Sequence, residues 1–141
     1  MKKNLLIAFL IIAVAFIWGQ SMLPEGLSTT ESTLFTEKVL HPIERFLFGT
    51  ESWSTAVVRK FAHVLEFAVL GFLLHLLFRH LALPRPALKA LSFGGLVGLL
   101  DETVQILSGR SAMVSDIWLD ISGTVIGIAL AALWHRRKRK I

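Results

Sequence analysis

The chain has 141 residues, 54% of them hydrophobic, with 15 Lys and Arg against 10 Asp and Glu, a formal net charge of +5 and no cysteine. Its mean hydropathy is +0.65, and the apolar residues are gathered into long blocks rather than spread at the spacing of a soluble helix or strand, which is membrane composition. The absence of cysteine excludes a disulfide framework, a thiolate metal site and a cysteine nucleophile, and the length leaves room for one small helical bundle with a single extramembrane loop.

Met1, Lys2 and Lys3 precede an apolar run from Leu5 to Trp18. Such a run is either a first transmembrane helix or a secretory signal peptide. The small residues Ala13 and Ala15 lie in the middle of the run rather than after it, and Trp18 suits an interfacial anchor, so a retained helix over 4–23 is the preferred reading. Residues 24 to 59 form the one long polar segment. Within it Ser28 and Glu31 have capping-box spacing, and Phe35, Val39, Ile43 and Leu47 recur every four residues. That spacing predicts an amphipathic helix against the bilayer or the bundle, bent or divided at Pro42.

Ser54 can cap a second span over 57–78, which ends at Arg79 and His80, and Pro84 and Pro86 make the following connection short and basic. A third span is expected over 87–107 and a fourth over 115–134. Gly94 and Gly98 on the third, and Gly123 and Gly127 on the fourth, have the small-xxx-small spacing that lets helices approach closely, whether within the chain or in an oligomer. The fold class expected is all-α: a four-transmembrane-helix bundle in one domain over 1–141, with a partly helical extracytoplasmic loop between helices 1 and 2.

Lys2, Lys3, Arg79, Arg85, Lys89, Arg136, Arg137, Lys138, Arg139 and Lys140 occupy the two termini and the loop between the second and third spans, with no acid among them. The positive-inside rule then places both termini in the cytoplasm. This segregation reads as topology, with the basic C-terminus drawn to anionic lipid, and not as a nucleic-acid surface. The same topology brings His63, Glu66, Asp101, Glu102, Gln105, Asp116 and Asp120 to the outer half of the membrane.

Acids in hydrocarbon usually face a partner or a water-filled cavity. Lys60, His63 and Glu66 step by three along one helix face, Asp101 and Gln105 share a face beside Glu102, and Asp116 and Asp120 share another. Arg110, in the turn between the third and fourth spans, is the obvious fixed cation for these acids. Three readings compete: a structural ion-pair network; a catalytic site in which His63 and Glu66 or Glu102 exchange protons while Arg110 holds an anionic group; or a site that binds a divalent ion or a polar headgroup without chemistry. The spacing matches no metal motif, so no metal or cofactor is assigned. His75, deeper in the second span, reads as a packed or snorkelling residue.

The series Lys60-x-x-His63-x-x-Glu66-Phe67, Asp101-Glu102-x-x-Gln105, Gly109-Arg110 and Asp116, with Gly123 and Gly127 beyond it, resembles the VanZ-like membrane protein family over nearly the whole chain. Ser21 and Pro24 are also in keeping with it, while position 120 holds Asp where the family more often has Asn. The resemblance implies a multi-pass protein of the bacterial cytoplasmic membrane, in a family whose founding member is linked to reduced susceptibility to teicoplanin. On this basis the expected partners are the bilayer and an envelope lipid or lipid-linked cell-wall precursor. His63, Glu66, Asp101 and Glu102 are the catalytic candidates, with His63 and Glu102 foremost for proton transfer. Lys60, Gln105, Arg110, Asp116 and Asp120 are the substrate-binding candidates. The alternative is a non-enzymatic binding or partner protein of the envelope, and a proton-coupled transporter ranks last, because no acid or histidine except His75 is expected in the inner half.

Overall fold

The computed structural model describes residues 3–23, 25–48, 53–109 and 114–138. These form α1 (Lys3–Ser21), α2 (Glu25–Phe35), a π-helical segment (Thr36–Leu40), α3 (His41–Phe48), α4 (Thr55–His80), α5 (Pro86–Leu107) and α6 (Val114–Lys138), with no strand among them. Four of them, α1, α4, α5 and the stretch Ser115–Arg137 of α6, are long and apolar enough to cross a bilayer. About 20 residues at 1.5 Å each match a hydrocarbon layer of about 30 Å. Their outward faces are aliphatic: Ile11, Ile12, Leu65, Val69, Leu96 and Leu130 are all exposed. A continuous apolar exterior of this kind calls for lipid around it.

Local chemistry sets the helix limits. Ser54 has extended backbone angles, and its hydroxyl accepts the Val57 N–H at 3.4 Å, so it caps α4 as its residue type and position predict. Pro86 opens α5, where its missing N–H leaves no bond unmade, and Arg85 turns the chain into it with a left-handed φ of 52°. Pro42 can neither donate to nor clear the carbonyl four residues back. The preceding segment answers by shifting to π-helical bonding, with the His41 N–H donated to the Thr36 oxygen. Pro42 therefore changes the helical register without breaking the helix.

In that loop the expected apolar stripe stays largely exposed. Phe35, Val39 and Ile43 are exposed, while Thr36 and Glu44 are buried; the Leu47 side chain lies outside those described. Phe35 lines a cleft shared with α1 and α4, so part of the stripe meets the bundle while Val39 and Ile43 stay exposed. Likewise α2 begins at Glu25, ahead of the capping-box pair, and the side chains of Ser28 and Glu31 also lie outside those described.

At the centre stands α4, packed most closely against α6 and also touching α1, α2 and α5. Glycine makes the α4–α6 approach possible. A Cβ on Gly123 or Gly127 would collide with the backbone oxygen of Val64 or Ala68, and one on Gly71 with that of Thr124. On α5, a Cβ on Gly94 would stand 2.7 Å from Thr124 Oγ1 and one on Gly98 would stand 3.2 Å from Asp120 Cβ. Both glycine pairs are thus used in packing within the chain. The apolar core beside them joins Leu6, Leu10 and Ile17 of α1 to Phe67, Leu70, Leu74 and Phe78 of α4 and Ala90 of α5.

Candidate functional site

On three of the four spanning helices the stripe that builds the core runs into a polar group at the same end of the bundle. On α1 the buried residues are Leu6, Leu10, Ile17 and then Ser21. On α5 they are Ala90, Gly94, Gly98 and then Asp101, Glu102 and Gln105. On α6 the buried positions Ala131, Gly127, Thr124 and Gly123 lead back to Asp120. Steps of three and four residues hold each stripe on one face, so the packing that buries the small residues also buries the acids.

Asp101 is fully enclosed. The Ser21 hydroxyl donates to its Oδ1 at 2.6 Å and the Gln105 amide donates to its Oδ2 at 2.8 Å. Ser108 fastens the same corner by donating to the Ser21 carbonyl at 2.9 Å and to the Val104 carbonyl at 2.7 Å. Asp101, Glu102 and Asp120 are all buried, and each offers a carboxylate oxygen within 4.8 Å of the others. An ionised carboxylate at the centre of a spanning helix costs at least about 2.5 kcal/mol on insertion scales. Three of them side by side therefore need polar company.

The α4 residues connect this cluster to open space. His63 Nδ1 lies 3.9 Å from Asp120 Oδ1. Nearer the helix start, Lys60 Nζ lies 3.7 Å from Asp116 Oδ1, with the lysine side chain 46% exposed, and the Ser115 hydroxyl reaches the same Asp116 oxygen at 3.3 Å. His63 and Glu66 also line a cleft of about 630 Å³ bounded by α1, α2, the π-helical segment and α4. Phe16, Phe35, Phe61 and Leu65 make its walls apolar, and Gln20, Arg59, His63 and Glu66 supply its polar lining. The α3 end is tied down over Trp53, another lining residue: its N–H is donated to Glu44 at 3.5 Å and its ring lies 5.3 Å from that of Phe61.

The chain matches the VanZ/LLP1 family model over residues 6–135. It belongs to the VanZ/LLP1 family. No curated protein and no solved structure matches it.

In this VanZ/LLP1 protein, eight of the nine site residues expected from the sequence fall among the described residues, and they separate into layers. Asp101, Glu102, Gln105 and Asp120 are buried together, His63 and Glu66 stand between them and the cleft, and Lys60 and Asp116 pair nearer the surface. Arg110 lies outside the described residues. Two residues escaped the sequence-based site. Ser21 closes the cluster from α1, and Thr124, fully buried, carries the packing beneath Asp120 and donates to its carbonyl at 2.9 Å. Ser21 was visible as the next member of the stripe Leu6, Leu10, Ile17, whereas Thr124 gives no sequence signal beyond its place between Gly123 and Gly127. His75 is buried farther along α4, with neither ring nitrogen hydrogen-bonded. Twelve residues of helix, about 18 Å, separate it from His63.

Proposed function

We propose that this VanZ/LLP1 protein recognises or modifies an envelope lipid or lipid-linked cell-wall precursor in the outer leaflet of a bacterial cytoplasmic membrane, and so lowers susceptibility to teicoplanin-type glycopeptides. The observation that carries the reading is the cleft, whose aromatic and aliphatic walls also carry His63, Glu66 and Arg59. An acyl or prenyl chain fits such walls, and a polar headgroup fits the polar groups among them. The segregated Lys and Arg residues support an outward position for this end of the bundle. His63 and Glu66 are the proton-transfer candidates that border ligand space, ahead of Glu102, which is buried. Arg110, which follows Gly109 in the sequence, is our candidate for an anionic headgroup, with Lys60 and Asp116 as further substrate-binding candidates.

A second reading, a binding protein whose polar cluster is structural, is favoured by the hydrogen bonds that join α1 to α5 through Ser21, Asp101 and Ser108. Mass spectrometry of membrane lipids and lipid-linked wall precursors separates the two readings. Cells lacking the protein, expressing it, or expressing Glu66→Gln at matched membrane levels are compared. The expected result is a species that changes with the wild type and not with the variant. Identical profiles in all three would remove the case for chemistry, and glycopeptide binding at the cell surface would then test the binding reading.

A further inference from the structure

The geometry points to a site for one hard divalent cation, of the Mg²⁺, Mn²⁺ or Ca²⁺ class, held by Asp101 and Glu102 of α5 and Asp120 of α6. The three oxygens lie within 4.8 Å of one another. Oxygens on opposite sides of such a cation, with bonds of about 2.1 to 2.6 Å, are about 4.2 to 5.2 Å apart, so the spacing encloses the ion without rearrangement. A carboxylate donor set with no thiolate selects hard cations.

Asp120 supplies a second, independent indication. It is 1% exposed, and its Oδ2 has no hydrogen-bond partner. That oxygen is turned towards α5: a Cβ on Gly98, one helical turn before Asp101 and Glu102, would stand 3.1 Å from it. A buried acceptor left open on a carboxylate that lies beside two others is accounted for by an ion among the three. Glycine at 98 leaves the room that a side chain would fill.

The surroundings fit the same ligand. Ser21 and Gln105 donate to the two oxygens of Asp101, fixing the carboxylate in the way that outer hydrogen bonds orient a metal ligand. His63 lines the cleft and lies 3.9 Å from Asp120, which gives the ion a polar way in. The motif is invisible to spacing along the chain because its donors come from two helices.

The inference does not depend on the lipid reading, and its test contains no lipid substrate, so either can fail alone. The full chain, purified in detergent and stripped of metal, is titrated with Mn²⁺, and the free ion is followed by electron paramagnetic resonance. The expected result is saturable binding of about one Mn²⁺ per chain, displaced by Mg²⁺ or Ca²⁺. Asp120→Asn and Glu102→Gln should each weaken binding by about tenfold or more. The exposed-site variant Glu37→Gln should bind as the wild type does. Mn²⁺ that stays free in the presence of wild-type protein overturns the proposal whatever the variants do. So does Asp120→Asn protein that elutes as folded and binds Mn²⁺ as tightly as Glu37→Gln.

Discussion

Ser21 shows how much one hydroxyl can decide. It is fully buried at the end of α1, donates to Asp101 at 2.6 Å and accepts Ser108 through its own carbonyl at 2.9 Å, so it joins the first span to the third. A buried hydrogen bond contributes about 1 kcal/mol, and leaving a buried acceptor without its donor costs about 1 to 3 kcal/mol. Ser21→Ala is therefore expected to lower the unfolding free energy in detergent by about 1 to 3 kcal/mol. An unchanged denaturation midpoint would mean that Gln105 alone suffices to hold Asp101. The acids themselves were legible in the sequence, because ionisable side chains in apolar helices stand out at the cost of burial. Ser21 was not legible in the same way, since a serine at the end of a spanning helix costs little and looks like an ordinary interfacial residue. What separates it from its neighbours is its phase: Gly19 is exposed, whereas Ser21 continues the buried stripe.

Among the elements, the α4–α6 contact carries the fold, and glycine sets its distance. Apolar side chains gain little by leaving lipid for one another, so packing at close range must hold spanning helices together. At Gly127 a Cβ would meet the backbone of Ala68 and Phe72, neither of which can rotate away, whereas at Gly95 it would meet nothing within 4 Å. Gly127→Ala is therefore expected to destabilise the protein by more than about 2 kcal/mol and to reduce its accumulation in membranes, while Gly95→Ala should be neutral or slightly stabilising. Equal accumulation of the two variants would show that α4 and α6 can separate at little cost. The existence of these helices was legible from block hydrophobicity, and the close approach from the glycine spacing. Whether that approach joined two parts of one chain or two copies was not legible, because the spacing describes one surface and not its partner. The loop was legible in part: Phe35, Val39 and Ile43 mark an apolar face and Phe35 lines the cleft, but that face gave no sign that Thr36 and Glu44 would be buried.

At the scale of the whole molecule, charge and polarity sort to opposite ends. Every acid in the chain falls either in the segment from Glu25 to Glu51 or among Glu66 in the first half of α4, Asp101 and Glu102 near the end of α5, and Asp116 and Asp120 near the start of α6. Arg79, Arg85, Lys89, Arg136 and Arg137 gather at the other ends of the same helices. Basic residues are retained on the cytoplasmic side during insertion, so the cluster, the cleft and α2 should face outward. The chain contains no cysteine, so single cysteines report their own position. Gly26 is exposed on α2, where a side chain would meet nothing within 4 Å, and Ala87 is exposed at the start of α5. In intact cells an impermeant maleimide is expected to label Gly26→Cys, and to label Ala87→Cys only after the membrane is opened. The reverse pattern would put His63, Glu66 and the three carboxylates towards the cytoplasm, and an outer-leaflet precursor could then no longer be their ligand. Labelling of Gly26→Cys in intact cells, joined to Mn²⁺ binding by the purified chain, would instead place a cation beside the cleft at the outer surface, where a lipid phosphate could complete its coordination.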